Sequence, residues 1–306
     1  AAASPAETAT LRARRGTWAT IGRELRKAPL TAWFGMLVIL AYMLCALLAP
    51  YIAPFGEADV MSDSAYADWG TPVTNEAGNQ IGTFYLGSDQ LGRDMLSRLI
   101  YGARNTIGIA LATTLLSFFI GGSLGILVSV VRGWTDVVLS RLVDVLMSIP
   151  TLIFALMLLT LAGPSLINIV IIIAVLDATR VFRLSRSLAM NVAVMDYVEA
   201  ARLRGERLPW IMFREILPNI LPPMTAEFGL RFCFVFLTIS ALSFLGVGIQ
   251  PPTADWGSMV AENATLISYE NITPLLPAGA IALLTVAVNF VVDWFLHKTS
   301  GLGDEH

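Results

Sequence analysis

Six stretches of the chain are apolar for long enough, or nearly so, to cross a bilayer core: 30–52, 106–131, 143–162, 166–176 with a polar continuation, 224–247 and 275–295. About 20 helical residues span that core, so the pattern predicts six transmembrane helices, the fourth interrupted early by Asp177 and Arg180. The first stretch is about twice the length of a signal-peptide apolar region. No small-residue cleavage pattern comes after it, so it reads as a span. Between the first two spans, 88–104 is hydrophilic yet periodic. Ser88 is placed to cap a helix, and Leu91, Met95, Leu96, Leu99 and Ile100 recur at helical spacing. Asp89/Arg93 and Asp94/Arg98 are acid-first i,i+4 pairs. The expectation is an amphipathic helix on the external membrane surface, although the periodicity alone fits a soluble connector helix equally well.

Charge gives these spans a direction. Arg12, Arg14, Arg15, Arg23, Arg26 and Lys27 precede the first span, and short basic segments stay in the cytoplasm. The segment 53–92 carries Glu57, Asp59, Asp63, Asp68, Glu76 and Asp89 with no basic residue before Arg93. Basic residues return as Arg180, Arg183, Arg186, Arg202, Arg204, Arg207 and Arg214, and the loop 248–273 again has only acids, Asp255, Glu262 and Glu270. Alternating basic and acidic loops predict an all-α integral membrane fold with both termini cytoplasmic. Its parts are a basic tail (1–29), a first span (30–52), an external segment with the amphipathic helix (53–105), a membrane core (106–297) containing a cytoplasmic loop (187–223), and a short tail (298–306). Of the 306 residues 56% are hydrophobic and 14% charged, against about 25% charged in soluble domains.

Candidate chemistry thins out on inspection. Cys45 and Cys233 lie inside apolar runs and offer neither a disulfide framework nor metal spacing. The histidines are His297 and His306, and the lysines Lys27 and Lys298. Lys298-Thr299 lacks the glycines of a phosphate-binding loop, so no ATP or other cofactor is expected on this chain. Gly121-Gly-Ser123-Leu-Gly125 has the spacing of a hydrolase nucleophile but lies mid-span with no histidine base near it in sequence. The Gly121-x-x-x-Gly125 spacing instead favours close helix packing. Arg141/Asp144 and Glu227/Arg231 are intraspan pairs able to neutralise each other, while Asp177 and Asp293 have only Arg180 and Lys298 as local partners. An intramembrane hydrolase needs a base that the sequence does not supply. An ion-coupled transporter needs inverted repeats and a chain of midplane charges, and neither is visible.

The stretch 187–223 is the most informative. A helix is expected over 192–203, then a break at Gly205 where the backbone needs φ > 0, then a short helix with Pro209 in its first turn that ends before Pro218. Such a helix–break–helix, with Ala200 and Ala201 permitting close approach and arginines around them, fits a groove in a cytoplasmic partner. Glu199-Ala-Ala-x-x-x-Gly205, ten residues, then Ile216-Leu217-Pro218 resembles the EAA loop of bacterial ABC importer permeases. The segments 86–104 and 243–257 resemble the C-type permease subunit of dipeptide/oligopeptide/nickel importers, over nearly the whole chain and in the same order. Leu203, Arg204 and Glu206 depart from the small or apolar residues usual around that glycine.

The resemblance implies a six-helix type I importer permease without catalytic residues. It forms half of a translocation path with a second homologous permease, above two ATPases that bind ATP and magnesium, and it receives peptides or a related small solute from an external binding protein. It implies no nucleic-acid partner. Glu199, Ala200, Ala201, Arg202, Gly205, Leu217 and Pro218 are then the ATPase-coupling residues.

Overall fold

The computed structural model describes residues 28–61, 66–74, 79–269 and 271–299. The basic residues of the N-terminal tail, Asp63, Glu76, Glu270 and residues 300–306 lie outside that set. The described chain is helical apart from one hairpin. Its helices are α1 (Leu30–Ile52), α2 (Met95–Val131), α3 (Trp134–Met147), α4 (Thr151–Ala162), α5 (Leu166–Val192), α6 (Asp196–Leu203), α7 (Leu208–Phe244), α8 (Trp256–Asn263) and α9 (Leu275–Thr299). The hairpin pairs β1 (Thr71–Thr74) antiparallel to β2 (Gln80–Phe84). Four helices, α1, α2, α7 and α9, are long and apolar enough to cross a membrane, and α3 with α4 forms a fifth candidate bent by 89°.

Three expectations need correction. The external amphipathic helix over 88–104 does not begin at Ser88. Residues 88–94 form a tight loop closed by a Ser88–Asp94 bridge, and Asp94 caps α2 by accepting from Ser97 N. From Met95 onward the chain is one continuous 37-residue helix, about 55 Å long at 1.5 Å per residue and so much longer than the bilayer core. The third span is not straight. It breaks at 148–150 because Pro150 supplies no N–H to a continuing helix and pushes Ile149 out of the α region.

Last, Pro218 does not end a helix. Residues Ile211–Ile216 widen into a π turn, with Leu217 N–H donating to Met212 O five residues back. That register removes the demand for a Pro218 donor, and α7 runs through Pro218, Pro222 and Pro223.

The most extensive helix contact is α2 against α5. A Cβ at Gly121 would run into the backbone of Ala178 and Phe182, and one at Gly125 into Ser185 and Phe182. The two glycines therefore seat α5 directly on α2, as their spacing predicts.

At the other end of α2 a cap is assembled from the described residues of the 53–94 segment and the 248–274 loop. Its centre is a buried ionic lattice. Arg93 meets Asp89 at 2.7 Å and Glu262 at 3.0 Å, while Arg98 meets Glu262 at 2.8 Å and also pairs closely with Asp89. The anticipated Asp94/Arg98 pair is replaced by this longer-range one. Trp256 keys into the same cap: its indole N–H donates to Leu99 O at 2.9 Å above Gly102, and its ring meets Tyr42 and Phe236 edge-on. Thr106 and the Ser258 N–H both donate to Asp255, whose carboxyl burial nevertheless pushes above the usual range.

Candidate functional site

The 187–223 stretch folds as a helix, a glycine turn and a second helix, with one shift of boundary. The helix expected over 192–203 is split: α5 ends at Val192, residues 193–195 turn, and α6 starts at Asp196. Its far end is a Schellman cap, in which Gly205 N–H donates to Arg202 O at 2.9 Å and Glu206 N–H to Ala201 O at 3.2 Å. Gly205 adopts φ +81°, the left-handed conformation anticipated from the sequence. Nothing lies near its absent Cβ, so the requirement there is conformational rather than steric. Arg204 folds back, with its guanidinium over the Trp210 ring and 3.9 Å from Glu215.

The motif residues separate into two faces. Glu199, Ala200, Arg202 and Gly205 are exposed, and Leu203 is 84% exposed. Ala201 is fully buried, so it serves the fold's own packing and only Ala200 offers a small outward surface. Leu217 packs against the inner cluster while Pro218 faces outward. Beneath α6, Val198 joins Ile126 of α2, Val181 and Ala189 of α5, and Ile211, Met212, Ile216 and Ile220 of α7 in one apolar cluster. The buried face of the element is thus continuous with one apolar cluster to which three long helices contribute, and it packs directly on the start of α7. A groove of about 440 Å³ runs along its outer edge, lined by Arg132, Ala193, Val194, Glu199, Arg202 and Leu203. Sequence reasoning missed Arg132 (φ +53°) and the donation of Arg202 to Val130 O at 3.4 Å. The Arg132-Gly133 break ahead of Trp134 was the available signal.

The two ends of α2 are chemically distinct. Its first turns hold the Trp256 cap through Leu99, and its last turn meets α6 through Val130.

Midway between them lies a second feature. Arg231 is 2.7 Å from Glu227 and 3.7 Å from Asp177, Ser117 Oγ donates to Asp177 at 3.0 Å, and Arg180 lies 4.0 Å from Asp177 while donating to Thr151 at 3.0 Å. The Glu227/Arg231 pair was legible in the sequence, but its joining to Asp177 was not. Arg141 and Asp144 form no ion pair with each other among the described residues. Instead Asp136, on the same helix, takes Arg186 at 2.7 Å. Among the described residues no group of three or more His, Cys, Asp or Glu side chains is arranged to hold a metal.

Residues 118–298 match the family described as the inner membrane component of binding-protein-dependent transport systems, and residues 16–69 match the N-terminal transmembrane domain of oligopeptide transport permease C. The chain is 37% identical to the di/tripeptide transport system permease protein DppC of Pseudomonas aeruginosa, over 85% of this chain and 84% of that one. It is 34% identical to the dipeptide transport system permease protein DppC of Haemophilus influenzae, over 86% and 87%. It is also 29% identical to the glutathione transport system permease protein GsiD of Pectobacterium atrosepticum, over 91% and 89%.

Proposed function

The chain belongs to the inner membrane components of binding-protein-dependent transport systems, and on that footing we propose that it carries peptides through one half of a six-helix pore, driven through its α6–Gly205 element. It is a permease subunit of a bacterial ABC importer rather than an enzyme. Hydrolysis belongs to two partner ATPases that hold ATP and magnesium, and a second homologous permease completes the path. The spans are α1, α2, the broken α3–α4, α5, α7 and α9, with the tails 1–29 and 298–306 in the cytoplasm. Residues 53–105 stand outside, and 106–297 is the pore-forming core. Support comes from α2, which meets the acidic cap near Leu99 and the arginine-rich α6 region near Val130. Those contacts are 31 residues apart, about 47 Å of helix, enough to put them on opposite sides of a bilayer.

The observation that carries the coupling reading is the single apolar cluster beneath α6, which engages α2, α5 and α7 together. An ATPase gripping Glu199, Ala200 and the Gly205 turn from below would move three spans as one body, so closure of the ATPases would be delivered to the pore as a rigid tilt. The peptide reading rests on the di/tripeptide and dipeptide relatives, with the tripeptide glutathione of a third relative fitting the same size class.

The test is reconstitution of this chain with its second permease, ATPases and binding protein in liposomes, with uptake of a labelled dipeptide as the readout. Uptake should require ATP and binding protein and ignore ion gradients. Gradient-driven uptake without ATP would establish an ion-coupled carrier instead.

A further inference from the structure

Four charged side chains meet in the interior of the helix bundle, from two different helices. Asp177 lies about 18 Å from the Ser165 end of α5 and about 22 Å from Val192, and Arg231 about 20 Å from the Phe244 end of α7, at 1.5 Å per residue. Ser117, which donates to Asp177, is about 21 Å from the end of α2 by the same measure. Ionised groups at such depth are costly in hydrocarbon and face either the bundle interior or water. Here the group is electrically balanced, two carboxylates against two guanidinium groups, yet it is not sealed. The Arg180 side chain is 40% exposed and Glu227 22%, against 4% for Asp177. Arg231 is ion-paired to both carboxylates, but its Nε and Nη1 make no aligned hydrogen bond. Arg180 also reaches the first residue of α4, just past the 89° break, and lines a small gap there with Leu146, Met147, Thr151, Leu176 and Thr179. Broken helices at membrane depth are tolerated where they line a cavity.

The geometry points to Arg180, Glu227 and Arg231, organised by Asp177, as a solute-contacting station that holds the two charged ends of a peptide during passage. The inference rests on the peptide reading above and deepens it. A free peptide carries an ammonium at one end and a carboxylate at the other, both strongly disfavoured in a dry pore. The half-exposed Arg180 offers the carboxylate a planar pair of donors, and Glu227, released from Arg231, takes the ammonium. The internal ion pairs then act as the closed state of the station, each partner standing in for a peptide terminus. Because the set is net neutral, a zwitterion displaces it without leaving unbalanced charge.

The test uses the assembled transporter with Cys45 and Cys233 replaced by serine. Met147→Cys, which lines the same gap and leaves Arg180 in place, should react with a small charged methanethiosulfonate reagent when the complex is held open to the outside with a non-hydrolysable ATP analogue, and saturating dipeptide should slow that labelling roughly tenfold. In uptake assays Arg180→Gln should lower dipeptide transport by roughly tenfold or more, the usual contribution of one charge-assisted hydrogen bond, while Arg180→Lys retains most of it at equal membrane abundance. Labelling that dipeptide does not slow, or the absence of labelling in a transporter that still imports dipeptide, would overturn the station and leave the peptide reading standing. A parent transporter that imports no dipeptide would overturn both.

Discussion

Removing Arg98 should destabilise the cap at the Leu99 end of α2 in a way that depends on which other charge is present. Arg98 is fully buried and shares Asp89 and Glu262 with Arg93. Arg98→Met leaves two carboxylates with one guanidinium, an uncompensated buried charge that costs about 3–5 kcal/mol. Part of this is offset. Arg98 Nε and Nη2 have no partner among the described residues, and removing a buried unpaired donor returns about 1 kcal/mol or more. The net expectation is a loss of about 2–4 kcal/mol.

Glu262→Gln alone should cost less, since its side chain is 15% exposed and reaches water. The double variant restores a balanced Asp89–Arg93 pair, so its loss should fall short of the sum of the singles by about 0.5–3 kcal/mol. Thermal unfolding of the detergent-solubilised protein, monitored by tryptophan fluorescence, measures all three, with Asp68→Asn as an exposed carboxylate outside the lattice. Strictly additive losses would refute the charge-balance reasoning.

The same packing sets the expected outcomes of other variants. Trp256→Ala should cost about 3–5 kcal/mol, the usual loss for a buried aromatic, and Trp256→Phe only about 1 kcal/mol for the indole hydrogen bond, as read by the fall in unfolding temperature. Gly125→Leu should force α2 and α5 apart, because its new side chain meets Ser185 and the backbone of Phe182. A loss of about 1–3 kcal/mol or more, with low membrane abundance, is expected on immunoblots. Tyr85→Cys, at a position 62% exposed and outside the membrane in the proposed topology, should react with an impermeant thiol reagent in intact cells. Arg207→Cys should react only after permeabilisation, and the reverse pattern would invert the topology.

Features that depend on neighbours in the chain were legible in the sequence. Leu30–Ile52 is apolar throughout with Pro29 at its head, and α1 has those bounds. Gly205, flanked by a helix and a proline-led second helix, announced its positive φ. The errors occur where a partner is distant or where two local signals compete. Ser88 and Asp94 are both good cap residues, and the Ser88–Asp94 bridge decided between them. Asp94/Arg98 has the right helical spacing, but Arg98 finds Glu262, 164 positions away. Asp177 offered one local partner, and its approach to Arg231 comes from the crossing of α5 and α7, which no local pattern encodes. Pro218 read as a helix stop because the π turn that accommodates it leaves no mark in composition. Ala201 looked equivalent to Ala200 until the helix phase put one inside and one outside.

The central claim is that the α6–Gly205 element transmits ATP hydrolysis to the pore, and the most direct measurement is ATP hydrolysed per dipeptide imported, in liposomes, for the parent and for Ala200→Trp and Gly205→Val. Ala200→Trp places a large side chain on the one small outward surface of α6, and Gly205→Val puts a β-branched residue where φ is +81°. The account predicts that both variants insert in the membrane at parental abundance and leave the binding protein's capture of dipeptide unchanged. Import should be abolished, with the ATPases either lost from the complex or hydrolysing without transport. Parental stoichiometry and uptake in both variants would contradict it.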